Sequence, residues 1–485
     1  MLKNPPFCLS SEFYYEVWFV KIFTEVIFLE KYFYFDENIS AVCDSQMING
    51  TTQKLWQSFS FKLSALELCE GDPNTFIIGN PIKAVLPEDK EYAITVNEKG
   101  ICVIGKDYNS LMRGFFVLLM QIQLESANGK RILKIPYFEQ TDNYILKNRM
   151  IHICVFPEHD LYYIKKLIRL SALCQYTHIV IEFWGMLEYN CLKELAWPGA
   201  FSQEQVKEIV AEAKELGIKL IPMFNMFGHA TASRLLIGKH VVLDQNPLLE
   251  HLFTPDGWAW DITSDEVYDL LTQIRKELYN LFGDTEYFHI GCDEAYYYTK
   301  CDELRAYLPD FIKRLTNDVV KEGYRPMMWM DMILERSKFP KGYYAFGKDG
   351  EADILLKSLA PETVMVDWQY NVTEAPIQSS LYLKEKDSDK DLIIAPWYKD
   401  GNYNACIETA RENDMFGIML TTWHTLKDYM QTILTCAIKC GAKTLYWSDM
   451  NIDMQRTETA TLLRRVSFEG NSYLDSGWSK NQINI

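Results

Sequence analysis

The chain predicts an α/β protein: a (β/α)8 TIM barrel over residues 146–485, preceded by a small α+β domain over residues 1–145. Three observations lead there. From Arg149 onward, short apolar runs alternate with segments of helical period, and eight such units over roughly 300 residues is barrel size. The runs are apolar throughout, as parallel strands buried on both faces must be. Nearly every run ends in an acid, a tryptophan or both. An open doubly wound sheet is the alternative, but no glycine-rich phosphate loop follows the first strand.

In chain order, the apolar, aromatic stretch from Tyr14 to Phe35 is broken by Glu16, Lys21, Glu25, Glu30 and Lys31. It fails as a membrane span or a signal segment, and an ordinary strand or helix is expected. Phe76–Asn80 reads as a strand, and two short strands flank Asn97-Glu98-Lys99-Gly100. At Ser110 the period changes to that of a buried helix. The barrel strands follow: MIHICV, THIVIEF, KLIPMF, YFHI, PMMWM, TVMVDW, LIIAPW and GIMLTTW. Helices are expected at Leu161–Cys174, Gln203–Leu216 and Ser264–Phe282. The excursion from His240 to Thr263 is expected to form part of the rim.

Composition narrows the chemistry. A formal charge of −17 argues against nucleic acid and against an anionic membrane surface. Twelve cysteines with no CxxC pair imply free thiols, a reducing compartment and cytoplasmic location. The histidines are isolated from acids at ligand spacing, so no metal and no cofactor is expected. An acidic, aromatic-rich chain suits a neutral ligand such as a carbohydrate.

In such a barrel the site lies where strands end. Those ends supply Glu182, Phe183 and Trp184; Asn225 and His229; Asp293 and Glu294; Trp329 and Asp331; Asp367, Trp368 and Tyr370; Trp397, Tyr398 and Lys399; Trp423 and His424. An isolated Asp-Glu pair is ordinarily a solvated turn. Here it closes the run His289-Ile290-Gly291-Cys292-Asp293-Glu294 on an aromatic strand. Side chains of neighbours on an extended segment point to opposite sides, so the backbone must twist to bring both acids to one cleft. Tryptophan faces suit a sugar ring, and acids beside them suit its chemistry.

HIGCDE resembles the HxGGDE signature of glycoside hydrolase family 20, the β-N-acetylhexosaminidases. The strings IEFWGMLEY (Ile181–Tyr189), NMFGHA (Asn225–Ala230) and LTTWH (Leu420–His424) look like the branch containing hexosaminidase D and related bacterial N-acetylglucosaminidases. The resemblance covers the barrel. It implies an exo-acting, retaining, substrate-assisted hydrolysis of terminal β-linked N-acetylglucosamine or N-acetylgalactosamine. Asp293 would orient the 2-acetamido group and Glu294 would act as general acid and base. Arg149 would hold the 3- and 4-hydroxyls, with a salt bridge at the barrel floor as its plain alternative. His229 would stand near the acid and Trp423 at the base of the pocket, with Trp329, Trp368 and Trp397 as walls. Tyr370 would bond the acetamido oxygen, Tyr398 being the second candidate. Glu182 and Asp331 complete the expected binding set. Two departures concern hydroxyl recognition: Phe183-Trp184 stands where many members have Asp-Asp, and Thr425 where many have glutamate. A carbohydrate-binding pseudoenzyme of the same fold is the other reading.

Overall fold

The computed structural model describes residues 31–127, 129–230, 246–283 and 285–468. Most of the Tyr14–Phe35 stretch and the first part of the His240–Thr263 excursion therefore lie outside the described residues.

The first nine strands are β1 (Tyr32–Tyr34), β2 (Asn38–Cys43), β3 (Ala65–Glu70), β4 (Thr75–Gly79), β5 (Tyr92–Asn97), β6 (Gly100–Gly105), β7 (Gln123–Ala127), β8 (Lys130–Pro136) and β9 (Phe138–Thr141). Six of them form a sheet in the order β3-β2-β4-β6-β5-β9, and β1, β8 and β7 form a smaller one. Asn97 pairs with Gly100, so β5 and β6 are the expected hairpin. The helix Tyr108–Met120 starts where Asp107 caps the Ser110 N–H at 2.7 Å. Its almost wholly buried surface explains the run of apolar residues. The three-stranded sheet was not expected from the sequence.

Eight parallel strands then close into a barrel: β10 (Asn148–Cys154), β11 (His178–Glu182), β12 (Lys219–Met223), β13 (Tyr287–His289), β14 (Arg325–Trp329), β15 (Val364–Trp368), β16 (Leu392–Ala395) and β17 (Gly417–Thr421). Closure is made by β10 pairing with both β11 and β17. Met150, Val180, Ile221, Met327, Val364 and Ile393 fill the interior, so the barrel is packed rather than a pore. Asp160, Ser202 and Ser264 cap the helices that begin at Leu161, Gln203 and Asp265. Ser202 and Gln205 form a full capping box, which fixes that start. The helix Ile452–Arg465 returns to the small domain, where Ser58 Oγ donates to the Arg465 carbonyl at 2.6 Å.

The floor of the barrel corrects one expectation. Arg149 sits near the start of β10, and its guanidinium turns toward the small domain, away from the strand ends. It pairs with Glu91 at 3.2 Å, donates to the carbonyls of Leu146, Lys147 and Gln175, and stacks on Tyr144. Arg113 pairs with the same Glu91 at 2.7 Å. Burial opposes charge on Glu91, yet Arg113 and Arg149 together hold its carboxyl below the ordinary range. Arg149 is a staple between barrel and small domain and cannot reach a sugar at the other end. Among the described residues, no helix is long and apolar enough to cross a membrane.

Candidate active site

After His289 the chain leaves extended geometry at once. Gly291, Cys292 and Glu294 have φ of 66°, 75° and 50°, in the left-handed region that side chains other than glycine avoid. This turn resolves the alternation problem: both neighbouring carboxylates line one pocket. The loop Asn225–Ala230 packs directly on it. A Cβ on Gly228 would lie 1.8 Å from the Asp293 carbonyl, and one on Gly291 would lie 2.2 Å from Asn225 Oδ1. Both glycines are set by that close approach.

His229, itself at φ 53°, reaches both acids. Its Nε2 is 2.9 Å from Glu294 Oε2 and 3.4 Å from Asp293 Oδ2. Trp258 packs on the His229 ring and donates its indole N–H to the Glu294 carbonyl at 2.8 Å. Asp331 holds the turn from below, accepting from the Glu294 N–H at 2.9 Å and from Trp368 Nε1 at 3.1 Å. Burial, then the charges of Asp293 and Glu294, push the Asp331 carboxyl well above the ordinary range. Tyr296 shares this field: burial, then its neighbour Glu294, raise its phenol.

The pocket holds about 230 Å³ and is lined by His229, Asp293, Glu294, Tyr344, Trp368, Tyr370, Trp397, Trp423 and His424. Its aromatic wall is locked by hydrogen bonds as well as packing. Trp423 Nε1 donates to the Tyr370 hydroxyl at 2.8 Å, and Trp397 Nε1 donates to Thr425 Oγ1 at 3.0 Å. Tyr344 packs on Trp368 with centroids 4.4 Å apart.

Of the residues expected here, Asp293, Glu294, His229, Trp368, Tyr370, Trp397 and Trp423 come together. Trp329 does not join the wall. It lies fully buried beneath the pocket against His289 and Trp423. Glu182 is buried too, bonded to His152 at 2.9 Å and to Asn225 at 2.6 Å, and reaches no sugar directly. Asp331 is a support rather than a lining group. The sequence reading left out Tyr344, Trp258 and Tyr296, and it gave His424 no role. Tyr344 and Trp258 sit in loops beyond the strand ends, where no period marks them. Tyr296 follows the acid pair by two residues, so proximity alone was its signal. Among the described residues, no group of three or more His, Cys, Asp or Glu side chains could hold a metal ion.

A closed parallel barrel with paired acids in an aromatic pocket at its strand ends has the architecture of a glycoside-cleaving fold. The sequence model of the glycosyl hydrolase family 20 catalytic domain matches residues 182–468, and the chain belongs to that family. It is 24% identical over 357 residues to a β-hexosaminidase of Porphyromonas gingivalis, covering 66% of this chain but 44% of the relative. The chain thus spans less than half the length of that curated relative. The fold is similar to a family 20 exo β-N-acetylglucosaminidase from Vibrio harveyi solved with N-acetylglucosamine, with a TM-score of 0.63, 14% identity and coverage of 90% of this chain and 75% of that one. It is also similar to the family 20 β-N-acetylhexosaminidase of Streptomyces coelicolor, with a TM-score of 0.61, 14% identity and coverage of 93% and 96%.

Proposed function

We propose that this protein is an exo-acting β-N-acetylhexosaminidase. It removes terminal, non-reducing β-linked N-acetylglucosamine or N-acetylgalactosamine with retention, using the substrate's own acetamido group as nucleophile. The observation that carries this reading is the pair Asp293 and Glu294, adjacent in sequence yet facing one aromatic pocket the size of a single sugar. Most retaining glycosidases place a carboxylate nucleophile across the bond from the acid, and substrate-assisted families are the exception.

The acetamido carbonyl oxygen attacks the anomeric carbon, the bond to the leaving oxygen breaks, and an oxazolinium ion forms. Glu294 gives its proton to the leaving oxygen and later takes one from the incoming water. Asp293 accepts the acetamido N–H and offsets the positive charge that develops there. The indole of Trp423 can only donate, so the Tyr370 oxygen accepts from it, and the phenol proton, which also has Thr421 as a partner, turns to the acetamido carbonyl when a sugar binds. The negative charge of Asp293 beside it favours a Glu294 that starts protonated. Trp368, Trp397 and Trp423 offer flat faces to the ring. A cytoplasmic location belongs to the same reading and rests on eleven described cysteines, all free.

The test is hydrolysis of chromogenic β-glycosides of N-acetylglucosamine, N-acetylgalactosamine and glucose. Release from the acetamido sugars but not from glucose is expected. Equal release from glucose would overturn the acetamido mechanism, and silence on all three with measurable sugar binding would make the protein a binding pseudoenzyme.

A further inference from the structure

The pocket leaves one recognition problem open. With Arg149 stapled to the barrel floor, a cation expected to hold the sugar hydroxyls is absent from the lining. Thr425, the other position expected to matter, is spent: its Oγ accepts from Trp397 Nε1 and donates to the Thr422 carbonyl at 2.6 Å. Every indole N–H on the wall is also committed, that of Trp368 to Asp331, that of Trp397 to Thr425 and that of Trp423 to Tyr370. His424 differs from these. It lines the pocket, its ring packs edge-on against Trp397, and among the described residues its side chain makes no hydrogen bond. An imidazole there can both donate to and accept from a hydroxyl.

Its position selects which hydroxyl. Trp368, tied to Asp331 beside the acids, begins a series of ring contacts that runs along the wall. The centroids are 5.0 Å apart from Trp368 to Tyr370, 5.1 Å from Tyr370 to Trp397 and 5.6 Å from Trp397 to His424. His424 follows β17, four strands round the eight-stranded barrel from β13, whose end leads into the acid pair, so it is a polar lining group across the mouth from Glu294. In a pyranose, C4 stands across the ring from C1. A sugar with C1 at Glu294 and its acetamido group at Asp293 turns its C4 hydroxyl toward that side. C4 is also the one centre at which N-acetylglucosamine and N-acetylgalactosamine differ.

We propose that His424 is a specificity-determining residue that hydrogen-bonds the C4 hydroxyl and sets the preference between the two epimers. This rests on the glycosidase reading above. The experiment compares His424→Ala and His424→Asn with the unaltered protein on chromogenic β-glycosides of N-acetylglucosamine, N-acetylgalactosamine and 4-deoxy-N-acetylglucosamine. For His424→Ala, kcat/KM on the preferred epimer is expected to fall about tenfold, the worth of one net hydrogen bond. The ratio between epimers should move toward one, while the 4-deoxy sugar, which has no hydroxyl to lose, changes less than twofold. His424→Asn, which keeps a donor and an acceptor, should recover part of the loss. An equal fall on the 4-deoxy sugar, or an unchanged epimer ratio, would overturn the role of His424 while leaving the glycosidase reading intact. An unaltered protein silent on all three sugars would instead overturn the reading beneath it.

Discussion

The two ends of this barrel treat charge in opposite ways. At the floor, two buried guanidiniums surround one carboxylate, and Glu91 is held ionised. At the mouth, Asp293, Glu294 and Asp331 crowd together with His229 as the partner that reaches two of them, and Asp331 is pushed toward its neutral form. Matched charges join the barrel to the small domain. Crowded acids are poorly placed for stability and well placed to move a proton. The contrast separates residues that hold the two parts of the fold together from those clustered at the candidate pocket.

The largest expected break is at the mouth. Glu294→Gln and Asp293→Asn should each lower kcat on an acetamido substrate by about 10²–10⁴-fold, with thermal unfolding little changed. Steady-state kinetics beside calorimetry would check this. The floor should respond in the reverse sense. Glu91→Gln leaves Arg149 and Arg113 without their counter-charge, with side chains 2% and 8% exposed. It should cost about 3 kcal/mol of unfolding free energy in a denaturant titration, with kcat per folded molecule unchanged. Arg149→Met should behave likewise, and KM should not move.

The pH dependence of the floor has a definite sign. The folded pKa of Glu91 lies below its ordinary value of 4.5. Its stabilisation is therefore present above about pH 4.5 and is lost as pH falls through the folded value. The unaltered protein should lose stability over that acid range more steeply than Glu91→Gln, as melts across pH would reveal.

These floor predictions bear on what could be read in advance. The barrel was legible because parallel strands buried on both faces leave continuous apolar runs, and those runs end at the site. The acid pair was legible because the HIGCDE turn is locally unusual. Arg149 was misassigned although the sequence held a warning: it stands near the start of its strand, and the first residues of a parallel barrel strand lie at the floor. Trp329, Glu182 and Asp331 stand at strand ends as expected, but which of two adjacent layers they occupy depends on barrel curvature, which sequence does not encode locally. Tyr344 and Trp258 come from loops, whose placement follows from tertiary packing alone.

Smaller effects sharpen the contrast further. Asp331→Asn keeps one acceptor oxygen for two donors, the Glu294 N–H and the Trp368 indole. Activity should fall about tenfold through a displaced Glu294, well short of the loss in Glu294→Gln itself. Cys292→Gly should raise stability by up to about 1 kcal/mol, because Cys292 has a φ of 75° in the turn. A fall instead would mean that the buried Sγ contributes more than the backbone strain costs.

The most direct measurement of the central claim uses substrates whose acetamido group carries zero, one, two or three fluorines. Fluorine withdraws electrons from the carbonyl oxygen, so if that oxygen attacks the anomeric carbon, kcat/KM falls steeply with each added fluorine. A flat series in an active enzyme would mean that the acetamido group is not the nucleophile, and the roles assigned to Asp293 and Tyr370 would fall with it.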